Sequence, residues 1–131
     1  MLDYNGHLFE EKVLGHCTVT FSGHMKWRDA KEFAKQNQPA NKARIASLLE
    51  RKVRFRLGKE VVFYTAVGTP FDYYHGVDGF FEFDGKVVTV DTTLNKEKRH
   101  AKADIIIRMS DVRDIDALAD KIATTCRRRM S

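Results

Sequence analysis

The sequence predicts an α/β domain, in which a central mixed β-sheet of about four strands is flanked by helices. Three features lead to this prediction. A β-hairpin with an Asp84-Gly85 turn lies near the middle of the chain, an apolar run at 103–109 suits a buried strand, and amphipathic helical patterns stand before and after them. The 131 residues fit one domain, which can bury roughly two thirds of its unfolded surface without disulfides.

The chain divides into a core at 41–131 and an N-terminal extension at 1–40. In the extension, residues 16–21 alternate and include β-branched side chains, which favours a strand. Apolar residues at helical spacing then predict a helix from Trp27 to Gln36, which Pro39 ends or bends.

A basic helix opens the core. Asn41 is its candidate N-cap, its apolar positions continue to Leu57, and Gly58 takes the position that usually follows a helix end. A strand is predicted at 60–67, and the Gly-Thr-Pro segment at 68–70 ends it.

The next predicted element is the hairpin. It is predicted because Asp84-Gly85 suits the positive φ angles of a type I′ turn. After the hairpin, residues 95–102 predict a basic loop or short helix, and 103–109 a buried strand that suits parallel pairing. Ser110 or Asp111 is the expected cap of a last helix. Its apolar stripe consists of Val112, Ile115, Leu118, Ala119, Ile122, Ala123 and Cys126.

Positive charge is unevenly distributed. The net charge is +5 and the isoelectric point is about 9.3, and basic residues concentrate at 42–59, 96–102 and 127–129. Such clusters suit a phosphate-binding surface, although solvated helix faces give the same pattern. The predicted nucleic-acid contacts are Arg51, Lys52, Arg54, Lys98, Arg99 and Lys102.

Other compartments and cofactor classes receive little support. No segment approaches the ~20 apolar residues of a membrane span, and no signal-peptide pattern opens the chain. Cys17 and Cys126 are far apart and are expected to be reduced thiols, since a disulfide framework uses more cysteines at closer spacing. We therefore expect a cytoplasmic protein with no membrane partner.

Two aspartates on the hairpin strands are the main candidates for chemistry. Asp78 stands where the first strand begins, and Asp91 stands near the end of the second. Hard cations such as Mg²⁺ prefer oxygen ligands, often one or two carboxylates completed by water and substrate phosphate. Asp72 and Asp84 are interpreted as turn-flanking acids without a ligand role.

The order of these elements resembles the PD-(D/E)XK nuclease superfamily over residues 41–126. Gly76-Val77-Asp78 matches the acid on the second core strand, Asp91 matches the acid on the third, and Glu50 matches a helix glutamate that members often carry. The resemblance implies a restriction-endonuclease-like fold and a Mg²⁺- or Mn²⁺-dependent endonuclease that acts on DNA. Asp78, Asp91 and Glu50 would hold the metal.

The third-strand signature of this superfamily also contains a lysine two positions after the acid, and this chain has Thr93 there. Asp91 and Thr93 share a face of the strand, but a threonine supplies no positive charge. Lys96, in the following loop, is the candidate for the catalytic cation, and Lys86 is a weaker one.

An aromatic group lies beside the predicted site. The residues are Phe71, Tyr73, Tyr74 and His75. They suit either a wall that stacks unpaired bases or ordinary core packing, and His75 is either a general base or a surface residue.

Three functions remain open from the sequence. The first is the metal-dependent endonuclease, which often works as a homodimer in this superfamily. The second is a catalytically inactive nucleic-acid-binding or regulatory protein on the same scaffold. The third is a protein-interaction module that uses an exposed strand around Cys17–Phe21 to extend a partner's sheet.

Overall fold

The structure is a computed structural model that describes residues 4–19, 21, 23–95 and 101–130. Three helices come first, the four strands follow with one short helix among them, and two helices come last. Their bounds are α1 Tyr4–Leu14, α2 Trp27–Gln36, α3 Arg44–Leu57, β1 Val62–Thr65, α4 Pro70–His75, β2 Gly79–Phe83, β3 Lys86–Thr93, β4 Ile105–Arg108, α5 Met109–Val112 and α6 Ile115–Met130.

The four strands form one mixed sheet in the order β1-β2-β3-β4. β2 pairs antiparallel with β1 and with β3, whereas β4 runs parallel to β3. The predicted α/β class and the mixed four-stranded sheet are therefore confirmed. The parallel pairing brings the C-terminal ends of β3 and β4 to the same end of the sheet, where β2 begins.

The hairpin turn has the predicted conformation. Asp84 and Gly85 adopt φ angles of 49° and 72°, as a type I′ turn requires. The register that follows pairs Phe83 with Lys86 and Gly79 with Val90. This register brings the start of β2 next to the end of β3.

Helices cover both faces of the sheet. On one face, α1, α3 and α6 pack against side chains such as Phe63, Phe81 and Val90. On the other face, α2 and α4 pack against Phe80, with Phe71 fully buried between them. Because side chains alternate along a strand, β1, β2 and β3 supply both cores, whereas β4 adds Ile105 and Ile107 to the first.

Both long core helices differ slightly from their predicted starts. α3 begins at Arg44 with Ala43 as its N-cap rather than Asn41, although Gly58 ends it in the left-handed conformation as expected. The predicted last helix is two helices, α5 and α6, separated at residues 113–114. At the start of α5, the Asp111 carboxylate accepts the Arg108 N–H at 2.8 Å. The carboxylate of Asp114 then accepts an N–H in the first turn of α6.

The predicted strand at 16–21 is absent from its described part, 16–19 and 21. Cys17 N–H donates to Val67 O at 3.1 Å, Thr18 N–H to Asn37 O at 2.8 Å and Phe21 N–H to Gly68 O at 3.4 Å. These bonds reach two separate connecting segments, so they do not form the regular ladder of a strand. Cys17 itself is buried. The exposed strand that the interaction-module hypothesis requires is therefore not formed by these residues.

The N-terminal residues pack against the core. Val13 and Leu14 of α1 join the core with α3 and α6, and Ala30 and Ala34 of α2 join the core on the other face. None of the helices among the described residues is long and apolar enough to cross a bilayer. The region predicted as an extension thus supplies part of both helical layers.

We expect Gly79→Ala to lower the free energy of unfolding by about 1–3 kcal/mol, the usual cost of overpacking. A Cβ at this position would stand 2.6 Å from Phe63 Cζ and 3.1 Å from Tyr64 O. The Phe63 ring is fully buried and packs on Phe81 with centroids 5.0 Å apart, so it has little room to move. Urea denaturation measures the change.

Gly85→Asn is the matched control for this prediction. Nothing lies within 4 Å of a Cβ at Gly85, and asparagine tolerates positive φ better than most residues. Its stability should stay within about 0.5 kcal/mol of the wild type. Equal denaturation midpoints for Gly79→Ala and the wild type would contradict the packing argument.

Candidate functional site

Four carboxyl groups converge at the end of the sheet where β2 begins and β3 ends. They belong to Glu10, Asp72, Asp78 and Asp91, and we call them the carboxyl cluster. Glu10 comes from α1 and Asp72 from α4, which lie on opposite faces of the sheet. The other two come from the hairpin, where the Asp78 N–H donates to Val90 O at 2.8 Å.

The groups of the carboxyl cluster are in close contact. One carboxylate oxygen from each of Glu10, Asp72 and Asp78 lies within 4.8 Å of the other two. The Asp78 side chain is also hydrogen-bonded to the side chains of Asp72 and Asp91. Two carboxyl groups can share a hydrogen bond only when one of them carries a proton. The cluster therefore retains protons or binds a cation.

Burial and mutual repulsion shift the cluster toward its protonated form. Asp78 is 2% exposed, and burial, followed by the negative charge of Asp72, raises its pKa to about 7. Burial raises the pKa of Glu10 to about 8, with further contributions from Asp78, Asp72 and Asp91. Burial also raises the pKa of Asp72. Shifts of this kind are common at functional sites.

Local hydrogen bonds hold two of the acids in place. Thr92 donates both its N–H and its hydroxyl to Asp78 Oδ2, at 2.8 and 3.0 Å. Gly68 N–H donates to Asp72 Oδ2 at 3.1 Å. The hairpin and the start of α4 thereby orient the carboxyl groups before any ligand binds.

Two members of the cluster, Glu10 and Asp72, were missed from the sequence, although weak signals exist. For α1, Phe9 and Val13 are spaced by one helical turn and Gly15 follows the helix at φ 78°. Glu10 precedes buried Val13 and Leu14 by one turn, so it lies on the side of α1 that faces the sheet.

The sequence predicts Asp72 to be a turn-flanking acid, but it lies in a short helix. Pro70 at the helix start and Gly76 after its end, at φ 66°, are the signals that identify α4. Asp84 does fit the earlier interpretation, because it is in the turn and pairs with Lys59 at 2.6 Å.

Glu50 lies apart from the cluster. Its carboxylate accepts the Phe63 N–H at 2.7 Å and pairs with Lys42 at 3.1 Å and with Arg54 at 3.6 Å. These contacts anchor α3 to the middle of β1. The helix acid that the structure brings next to Asp78 is Glu10 rather than Glu50.

The predicted catalytic cation, Lys96, and the predicted contacts Lys98 and Arg99 lie outside the described residues. Among the described residues, the parallel register pairs Thr93 with Arg108. Paired residues of parallel strands share a face, so Arg108 is on the face that carries Asp91 and Thr93. Arg108 also lines a cleft of about 590 Å³, together with Leu94, Met109, Ser110 and Arg113.

The other predicted nucleic-acid contacts have different surroundings. Lys52 pairs with Asp116 at 2.7 Å, and Arg54 pairs with Glu60 at 3.0 Å as well as with Glu50. Arg51 is exposed and lines a groove on α3. Lys102 is exposed and donates to the Tyr74 carbonyl oxygen at 3.5 Å, at the end of α4.

The aromatic group divides into buried and exposed members. Phe71 is fully buried, whereas Tyr73 is 55% and Tyr74 41% exposed. The His75 ring lies 2.7 Å from the Met25 carbonyl oxygen through Nε2, which places this nitrogen in a structural hydrogen bond. Burial, then Asp72 and Glu10, raise the pKa of the Tyr73 hydroxyl, so Tyr73 lies in the field of the cluster.

Comparison with protein-family models, with curated proteins and with solved structures found no significant match to this chain.

The donor set of the cluster fits a hard divalent cation. All its donors are carboxylate oxygens, which Mg²⁺ and Mn²⁺ accept and which suit softer metals poorly. A divalent ion would also remove the mutual repulsion that raises the pKa values. The cluster can therefore hold a metal through Glu10, Asp72 and Asp78, with Asp91 beside them.

We expect the metal-free protein to lose stability as the pH rises from about 4 to 8. An acid with a raised pKa binds its proton more tightly in the folded state, so deprotonation through this range favours unfolding. Asp78→Asn keeps an oxygen for Thr92 and removes one charge. At pH 8 in EDTA this variant should be more stable than the wild type, on the order of 1–3 kcal/mol.

Urea denaturation at pH 5 and pH 8 measures the difference. Asp84→Asn is the control, since Asp84 is exposed and pairs with Lys59 on the surface; it should keep the wild-type pH dependence. If the wild type and Asp78→Asn gave the same change in stability between these pH values, charge repulsion within the carboxyl cluster would not lower the stability of the folded protein.

Proposed function

We propose that this protein is a divalent-metal-dependent nuclease of the PD-(D/E)XK type that acts on DNA. The observation that carries the proposal is the convergence of three carboxylate oxygens, from Glu10, Asp72 and Asp78, within 4.8 Å at the end of the sheet. Asp91, hydrogen-bonded to Asp78, adds a fourth carboxyl group from the next strand.

The order of elements around these acids supports the proposal. A helix supplies Glu10, Asp78 directly precedes the second strand, and Asp91 stands on the third. In the resemblance drawn from the sequence, the positions of Asp78 and Asp91 carry metal ligands. The helix acid was assigned there to Glu50, and Glu10, from a helix outside residues 41–126, takes that role in this proposal. β4 and α6 then follow as the final strand and helix.

A divalent ion held by these carboxylates would polarise a phosphodiester and lower the pKa of an attacking water. The chain's own residues have complementary roles. Glu10, Asp72, Asp78 and Asp91 bind and position the ion, and the Thr92 hydrogen bonds keep Asp78 oriented. Half-buried Arg108, beside Thr93 in the sheet register, supplies the positive charge that stabilises the phosphate during hydrolysis.

The second candidate is a nucleic-acid-binding or regulatory protein that does not cleave. Thr93 favours it, because the strand position that carries the signature lysine in the resemblance has no charge here. This candidate predicts salt-dependent binding with unchanged affinity when metal is removed. The metal titration described next separates the two.

We expect Asp78→Asn and Glu10→Gln to weaken Mn²⁺ binding by on the order of 100-fold and to abolish Mg²⁺-dependent nicking of supercoiled plasmid DNA. Each substitution removes one carboxylate from the cluster and keeps the size of the side chain. Isothermal titration calorimetry measures binding, and gel electrophoresis measures nicking.

Glu50→Gln serves as the matched control. Glutamine keeps an oxygen for the Phe63 N–H, and Glu50 lies outside the cluster. Its Mn²⁺ affinity and nicking should equal those of the wild type. If Glu50→Gln lost Mn²⁺ binding and nicking while Glu10→Gln kept them, the helix acid of the site would be Glu50 and not Glu10. If the wild-type protein binds DNA but calorimetry detects no Mn²⁺ binding, the non-cleaving candidate would be favoured.

We expect Arg108→Met to reduce the cleavage rate about 100-fold while Mn²⁺ affinity stays within about 2-fold of the wild type. The substitution removes a charge that acts on the phosphate and leaves the carboxyl ligands intact. Arg108→Lys should recover part of the rate because it restores the charge. Equal rates for Arg108→Met and the wild type would remove Arg108 from the site.

A further inference from the structure

Two exposed tyrosines directly follow Asp72 on α4. Tyr73 is 55% exposed and Tyr74 41%, while Phe71, on the other side of Asp72, is fully buried. One aromatic residue of α4 therefore holds the helix on the core, and two face solvent beside the carboxyl cluster. Adjacent exposed aromatic groups often mark a contact surface.

A third ring extends this exposed surface. The exposed His24 ring meets the Tyr74 ring edge-on, with centroids 5.2 Å apart and an interplanar angle of 76°. The centroids of His24 and His75 are 6.0 Å apart, and the His75 hydrogen bond to the Met25 carbonyl ties this loop to α4. We call Tyr73, Tyr74 and His24 the aromatic platform. These contacts position His24 and Tyr74 without a ligand, and Tyr73 precedes Tyr74 on α4.

Opposite charges lie along α4 on either side of the platform. Asp72 and the rest of the carboxyl cluster are on one side, and the field of Asp72 and Glu10 reaches Tyr73. On the other side, exposed Lys102 donates to the Tyr74 carbonyl oxygen at 3.5 Å. The stem of Lys102 lies along Gly76, where a Cβ would stand 3.5 Å from Lys102 Cβ. The order along α4 is therefore carboxyl cluster, aromatic rings, cation.

We propose that the aromatic platform stacks an unpaired nucleobase, with Lys102 on a neighbouring phosphate, so that the substrate is single-stranded or locally unpaired DNA. Unpaired bases offer free ring faces, and aromatic side chains stack on them with little regard to sequence. Bases inside a duplex already stack on one another and offer no such face. This inference rests on the proposed function, because it places the strand beside the metal-binding carboxylates.

Fluorescence anisotropy with a labelled 12-nucleotide single strand tests the inference. Three probes are compared at low salt: the intact strand, the same strand with abasic sites, and the duplex. Each is measured in EDTA and again with Ca²⁺. The wild type should bind the intact strand at least about 5-fold more tightly than the abasic strand.

Variants then locate the effect. The double variant Tyr73→Ala, Tyr74→Ala should bind the intact strand no better than the abasic one, while the matching double phenylalanine variant should keep the preference because it keeps the rings. Phe55→Ala is the control, since Phe55 is 86% exposed on α3; it should behave as the wild type.

Equal wild-type affinity for intact and abasic strands in both buffers would overturn the inference, and this comparison needs no variant to fold. Equal losses in the alanine and phenylalanine variants would also overturn it, because the rings would then not be the cause. A preference for the intact over the abasic strand, with no Mn²⁺ binding detected by calorimetry, would refute the nuclease proposal and leave the platform standing. Mn²⁺ binding and plasmid nicking by a protein that shows no preference for intact over abasic strands would refute the platform and leave the nuclease proposal standing.

Discussion

The structure depends on one electrostatic constraint at the end of the sheet: four carboxyl groups are gathered where water is partly excluded. Asp78 is almost fully buried, and its neighbours are other acids. Charge of one sign in such a place opposes folding unless protons or a cation neutralise it. The same arrangement that costs stability in the metal-free protein would favour a divalent cation.

The two apolar cores provide the free energy that holds this arrangement. Val13 and Leu14 fix α1 on one face of the sheet, which brings Glu10 to the sheet end. Phe71 fixes α4 on the other face, which brings Asp72 to the same point. The hairpin register aligns the remaining two acids. Sites built on rigid elements in this way keep their geometry better than sites on loops.

Hydrogen bonds then orient the side chains that packing brings together. Thr92 directs two donors at Asp78, so a residue next to Asp91 in sequence orients the acid of the neighbouring strand. The parallel pairing of β3 and β4 puts Arg108 beside Thr93. A neighbouring strand can thus place a positive charge beside a strand that has none at that position, because the sheet register makes residues distant in sequence adjacent in space.

The sequence by itself determined the mixed sheet, the type I′ hairpin, the end of α3 at Gly58, and the pairing of Asp78 with Asp91. Turn chemistry and side-chain periodicity act over a few residues, so these features can be derived from the chain locally. The alternating pattern at 16–21 predicted a strand, but these residues form a connecting segment. Alternation alone does not make a strand, because a strand also needs a partner strand to form a hydrogen-bonded ladder. The choice between Glu10 and Glu50 was decided only by the tertiary structure. Both are helical acids one turn from buried residues, and which of them reaches the sheet end depends on how each helix packs, because burial of apolar side chains distant in sequence sets the helix positions.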